Sequence, residues 1–164
     1  MKKVLMVLLM IAALVAISLN VFAAQSAEQL VSFTIGASSE LSVSGSPGLL
    51  EILAPLAGDD PVPVTDNNTS ISYSTNSSNK KITGDLDSDM PAGIILQVHI
   101  ASPGGAQGVS QGSMPLSLAA SDLVTGISKA AVQDATITYT LSATTLADPV
   151  DNATRTVTFT MTAD

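Results

Sequence analysis

Apolar residues alternate one-for-one with Ser and Thr in short runs along this chain, and none of the runs lengthens into a helical stripe. The stretch TRTVTFTMTAD, residues 154 to 164, is the clearest: Val157, Phe159 and Met161 fall on one face, and Thr156, Thr158, Thr160 and Thr162 on the other. A period of two is that of a strand with one face in a core and one in water. LVSFTIG repeats the pattern with Val31, Phe33 and Ile35, and ELSVSG repeats it with Leu41 and Val43. DATITYTLSAT sets Ile137, Tyr139 and Leu141 in one phase and Thr136, Thr138 and Thr140 in the other. The abundance of Thr and Val fits this, because β-branched side chains suit a pleated, half-buried surface.

Between the runs lie segments that break regular structure. SPGLLEILAPLAGDDPVPVTDNN carries Pro47, Pro55, Pro61 and Pro63, which leave room for at most one short strand near Leu49 to Leu53 and predict loop elsewhere. TSISYSTN, SSN and KKITGDLD read as a hairpin, with Ile71 and Tyr73 on one face of the first strand and Ile82 and Leu86 in phase on the second. PAGIILQVHIAS is the most apolar run, and Ile94, Leu96, Val98 and Ile100 on one face with Ile95 on the other predict a central strand. The Gly-rich SPGGAQGVSQGS predicts an exposed connection, Leu116 to Leu118 a short strand, and SKAAVQ a single helical turn. The expectation is an all-β fold: a single antiparallel immunoglobulin-like β-sandwich of about 7 to 9 strands. The disulfide and core Trp of antibody domains are both missing, because the chain has no Cys and no Trp.

Ahead of the strands stands MKKVLMVLLMIAALVAISLNVFAAQSA, with Lys2 and Lys3, an apolar run from Val4 to Leu19, and small residues at Ala23 and Ala24. Those are the three parts of an export signal. The expected organisation is a signal peptide over residues 1–23 and a β-sandwich domain over 24–164, the alternative being a segment retained uncleaved as an anchor. Lys80, Lys81, Lys129 and Arg155 then face 14 acidic groups, a net charge of −10. Such a surface repels phosphate backbones and anionic lipid, so no nucleic acid is expected as a partner and no membrane insertion once the signal is gone. The expected location is secreted or on the cell surface, through the periplasm if the source is Gram-negative. An oxidising compartment without a single Cys leaves stability to the core alone.

The residues offer little catalytic chemistry. His99, the one histidine, sits mid-strand in LQVHIAS with no nucleophile motif such as G-x-S-x-G beside it. GDLDSDMP presents Asp85, Asp87 and Asp89 at alternate positions, the weak metal candidates of the chain, and carboxylates so placed suit Ca2+ if any ion. The positions an EF-hand gives to Gly and to the distal Glu hold Met90 and Leu96, so a solvated strand end is the other reading. Asn67, Asn68, Asn76 and Asn152 each begin an N-x-S/T triplet and read first as loop signals. No catalytic residue, no cofactor and no enzyme activity are expected.

Together, the export signal, the alternating LVSFTIGASSELSVSG, the strands rich in Gly, Ser and Thr, and the terminal RTVTFTMTAD resemble pilin subunits of the chaperone-usher kind, including the spore coat U-like branch. That resemblance implies an extendable sandwich whose sheet edge receives a strand from a neighbouring subunit, with main-chain hydrogen bonds giving affinity. The Cys pair frequent in those subunits is absent, and Ala163 stands where many carry a penultimate aromatic. The expected function is that of an exported, non-enzymatic structural or surface-assembly subunit, fimbrial or coat-like, whose partners are other protein subunits in a homo-oligomer or fibre. The alternative is a secreted binding module that takes a glycan or peptide through its loops.

Overall fold

Runs rich in Val, Ile and Thr, bounded by Pro, Gly and Asn, fold as strands in the computed structural model, which describes residues 26 to 164. The expected signal segment, residues 1–23, lies outside the described residues. The strands are β1 (Ser39–Ser44), β2 (Val64–Thr75), β3 (Lys80–Leu86), β4 (Ile94–Ile100), β5 (Val109–Ser110), β6 (Met114–Pro115), β7 (Ser121–Ile127), β8 (Ala130–Ala143) and β9 (Val157–Ala163). A 3-10 turn at Gly105–Gln107 is the only helical element among the described residues.

Five strands form one sheet in the order β1-β2-β8-β4-β6, and four form a second in the order β5-β7-β3-β9. Every pairing is antiparallel. The two inner faces meet in a single core: Ile71, Tyr73, Val98, Ile100, Ile137 and Tyr139 come from the first sheet, and Ile82, Leu86, Leu123, Val124 and Ile127 from the second. This is a β-sandwich whose core is aliphatic apart from the two tyrosines. Burial raises the pKa of both phenols, and Tyr73 keeps its hydroxyl satisfied by donating to the Gln107 carbonyl at 2.8 Å. Gly84 sits on β3 where Leu123 crosses over it: a Cβ there would lie 2.7 Å from Leu123 Cδ1.

Several expectations are corrected. TSISYSTN and KKITGDLD are not a hairpin: β2 pairs with β1 and β8, while β3 pairs with β7 and β9, so Asn76–Asn79 carries the chain from one sheet to the other. The alternation of Ile71, Tyr73, Ile82 and Leu86 fixes which face is buried but is identical for two strands in one layer or in two. LVSFTIG forms no strand, because alternation supplies no hydrogen-bond partner, and Leu30, Val31, Phe33 and Ile35 are 93%, 71%, 83% and 80% exposed. Leu49 to Leu53 is likewise irregular, SKAAVQ contributes to β8 rather than to a helical turn, and β2 begins at Val64, within the expected loop. The short strand near Leu116 is Met114–Pro115, and the Gly-rich connection contains the two-residue β5.

The register defines two poles for Gly36–Asp164. At one lie the start of β1, the end of β2, the start of β3 and the end of β9, with Ser39 opposite Thr75 and Lys80 opposite Ala163. At the other lie the end of β3 and the starts of β4 and β9, with Leu86 opposite Val157 and Ile94 opposite Ala143.

Candidate functional site

Of the four sheet edges, β5 and β6 are two residues long, whereas β1 has six residues and β9 seven. Short edges recruit partners poorly; long ones present a row of unpaired main-chain groups. β1 and β9 approach one another, so both long edges lie on the same side of the sandwich. On that side the core is only partly closed. Val157, Phe159 and Met161 on β9 and Leu41 on β1 pack against the core yet are half-buried, and Val43 is 47% exposed. Beyond them, Thr158, Thr160 and Thr162 face water.

The charges at the ends of β9 are committed elsewhere. Arg155 donates through Nε and Nη2 to the Asp89 carbonyl at 3.0 and 2.8 Å and through Nη1 to the Thr154 carbonyl at 2.8 Å. Asp164 accepts from the Gly126 amide at 2.9 Å. Both keep their charge but are held by these bonds at the two ends of the strand, and the residues of β9 between them are uncharged.

At the pole where β1 starts, the turn Asn76–Asn79 anchors the chain on both sides. Asn76 Oδ1 accepts from the Ser38 amide at 2.8 Å, while its Nδ2 donates to the Gly36 carbonyl at 2.7 Å. Its own backbone amide donates to the Ser38 carbonyl at 3.2 Å, and Thr75 Oγ1 donates to the same oxygen at 3.0 Å. The carboxamide thus stands in for a peptide group and extends the ladder of β1 back to Gly36. Across the turn, the Asn79 carbonyl accepts from the Asp164 amide at 2.8 Å.

At the opposite pole the Pro-rich loop after β1 and the loop before β9 enclose a cleft of about 670 Å3. Leu50, Met90 and Leu141 on its walls pack against the core, Leu49, Leu53 and Val150 on its walls are exposed, and Glu51, Asp148 and Asp151 give it an acidic character. Asp66 on β2 accepts from the Asn68 amide at 3.1 Å and from Asn68 Nδ2 at 2.6 Å. The Asn68 backbone first, then the Gly48 backbone and the Asn68 side chain, keep its carboxyl below the ordinary range against a desolvation cost.

The residues singled out from sequence do not converge. Asp85 lies on β3 opposite Thr158. Asp87 follows the strand and is held below the ordinary carboxyl range by the Thr156 backbone first, then by the side chains of Thr156 and Ser88 and the charge of Arg155, with desolvation opposing. Asp89 Oδ1 accepts from the Leu118 amide at 3.4 Å. Among the described residues no group of three or more His, Asp or Glu side chains is placed to hold a metal ion. His99 is half-buried on β4 opposite Thr138. Sequence reasoning read Asn76 only as a loop residue; an Asn directly after a strand, with Ser and Thr on either side, was the available signal for a side chain that substitutes for backbone. No protein-family model and no curated protein matches the chain.

Proposed function

We propose that this chain is an exported, non-enzymatic structural subunit, fimbrial or coat-like, that associates with other subunits through its strand edges. One pairing of observations carries the reading: residues 30 to 35 form an alternating apolar segment that is exposed and unpaired, and β9 is a long, uncharged edge beside a half-closed core. Each is costly to leave in water, and strand addition satisfies both at once, burying Val31, Phe33 and Ile35 and adding main-chain hydrogen bonds. Secretion or surface display follows from the residue 1–23 signal, and no cofactor is invoked. Negative-stain microscopy of residues 24–164, alongside a form lacking residues 24 to 36, tests the reading. Fibres or ordered oligomers are expected from the first and monomers from the second; monomers from both at high concentration would overturn it.

The loop cleft supports a second reading, a binding module at the pole opposite the start of β1. Its lining mixes aliphatic with acidic side chains and has neither Trp nor Tyr, so it suits a largely apolar peptide segment better than a sugar, whose platforms use aromatic faces. An absence of hits on a glycan array, with binding of aliphatic peptides, is the expected outcome under this reading.

A further inference from the structure

We infer that Asn76 is a positioning residue that directs residues 30 to 35 to a second copy of the chain instead of to the chain's own β9 edge; the inference rests on the strand-edge reading above. Two destinations compete for that segment. In the self-inserted form it would lie along β9 of its own sandwich and then cross to β1 in the other sheet. The two layers of a sandwich are about 10 Å apart, and three residues at about 3.3 Å each just span that gap. Gly36, Ala37 and Ser38 are the three residues available, since the apolar segment ends at Ile35 and β1 begins at Ser39.

Those same residues are the ones the Asn76 carboxamide holds. It takes the Ser38 amide and the Gly36 carbonyl together, at 2.8 and 2.7 Å, as a continuation of the β1 ladder. A crossing between the sheets must break both bonds. Direction adds a second argument. β9 runs toward the pole where β1 starts, because it is antiparallel to β3 and pairs Ala163 with Lys80. A self-inserted segment leading into Gly36 at that pole would run parallel to β9, whereas one from a second copy is free to run antiparallel, the more stable pairing. Gly36 completes the argument: its φ is not in the left-handed region and nothing lies within 4 Å of where its Cβ would be, so the observed conformation makes no use of a glycine. A turn between sheets would.

The chain has no Cys, so introduced thiols report cleanly. Ser32→Cys with Thr160→Cys places one thiol on the polar face of the segment and one on the outward face of β9, and a short bis-maleimide spacer joins them without demanding one register. With Asn76 in place, denaturing gels should show a ladder of dimers and higher species. Asn76→Ala should shift the ratio of internally looped monomer to ladder upward by about 10-fold, the scale of two exposed hydrogen bonds lost. Asn76→Asp, which keeps an acceptor for the Ser38 amide and loses the donor to Gly36, should fall between, and circular dichroism checks that both variants fold. An unchanged ratio in Asn76→Ala, or a looped monomer already dominant with Asn76 present, overturns the inference while leaving the edge reading in place. Absence of any segment-to-β9 product in all variants overturns the edge reading and the inference with it.

Discussion

Acid should weaken this fold in part through Asp87, which the Thr156 backbone just before the last strand holds ionised below the ordinary carboxyl range. A carboxyl whose folded pKa is depressed contributes stability that is fully present above the unfolded value, about 3.9, and that is lost as pH falls through the lower folded value. Melting temperature should therefore be flat in this contribution near neutrality and fall below about pH 4, with a shallower fall in Asp87→Asn; an identical profile in the variant would deny Asp87 that role. Elsewhere, volume decides. Ile137 is fully buried where β8 faces the second sheet, so Ile137→Ala should cost about 2–5 kcal/mol by urea unfolding. Gly108 has φ +109°, and a Cβ there would lie 2.5 Å from Val124 Cγ1 and 2.7 Å from Ile127 Cγ1, so Gly108→Ala combines backbone strain with overpacking. It should destabilise by about 1–3 kcal/mol, read the same way.

Among the elements, β9 is where the proposed association is easiest to test. Met161→Lys would put a charge on the inward, half-buried face of an edge strand, a device by which natural sheets discourage pairing. Light scattering should show association abolished, while circular dichroism retains the β signal and melting falls by a few degrees. The strand itself was legible from TRTVTFTMTAD, as were the inward faces of β4 and of β8 around Ile137, because a period of two survives any tertiary arrangement. Layer and partner were not legible. Ile71 and Ile82 look alike whether their strands share a sheet or face each other across the core, and Val31, Phe33 and Ile35 alternate as cleanly as Val157, Phe159 and Met161 while forming no strand. Alternation marks the face a strand would bury once paired, and whether it is paired comes from long-range contacts that no local pattern encodes. The cleft was hidden for a related reason: Leu49 to Leu53 reads as a strand because it is apolar, and only the loop before β9 makes it a wall.

For the whole molecule, charge opposes what the apolar edges favour. Residues 24–164 carry a net charge of −10, and copies brought together repel. Raising salt from about 0.1 M, where the screening length is about 10 Å, to about 1 M, where it is about 3 Å, should speed association followed by light scattering; a slowing would mean that opposite charges, not apolar edges, hold the contact. The turn Asn76–Asn79 carries a mechanical consequence. It ties Gly36 through Asn76 and Asp164 through Asn79, so both anchor points of the sandwich are at one pole. Tension drawing Gly36 and Asp164 apart would peel β1 from β2 and β9 from β3, breaking rungs singly from that end. Tension between Gly36 and the opposite pole would instead load all six rungs of the β1–β2 register together, in shear. The same domain is thus a weak link under one direction of pull and a strong one under the other.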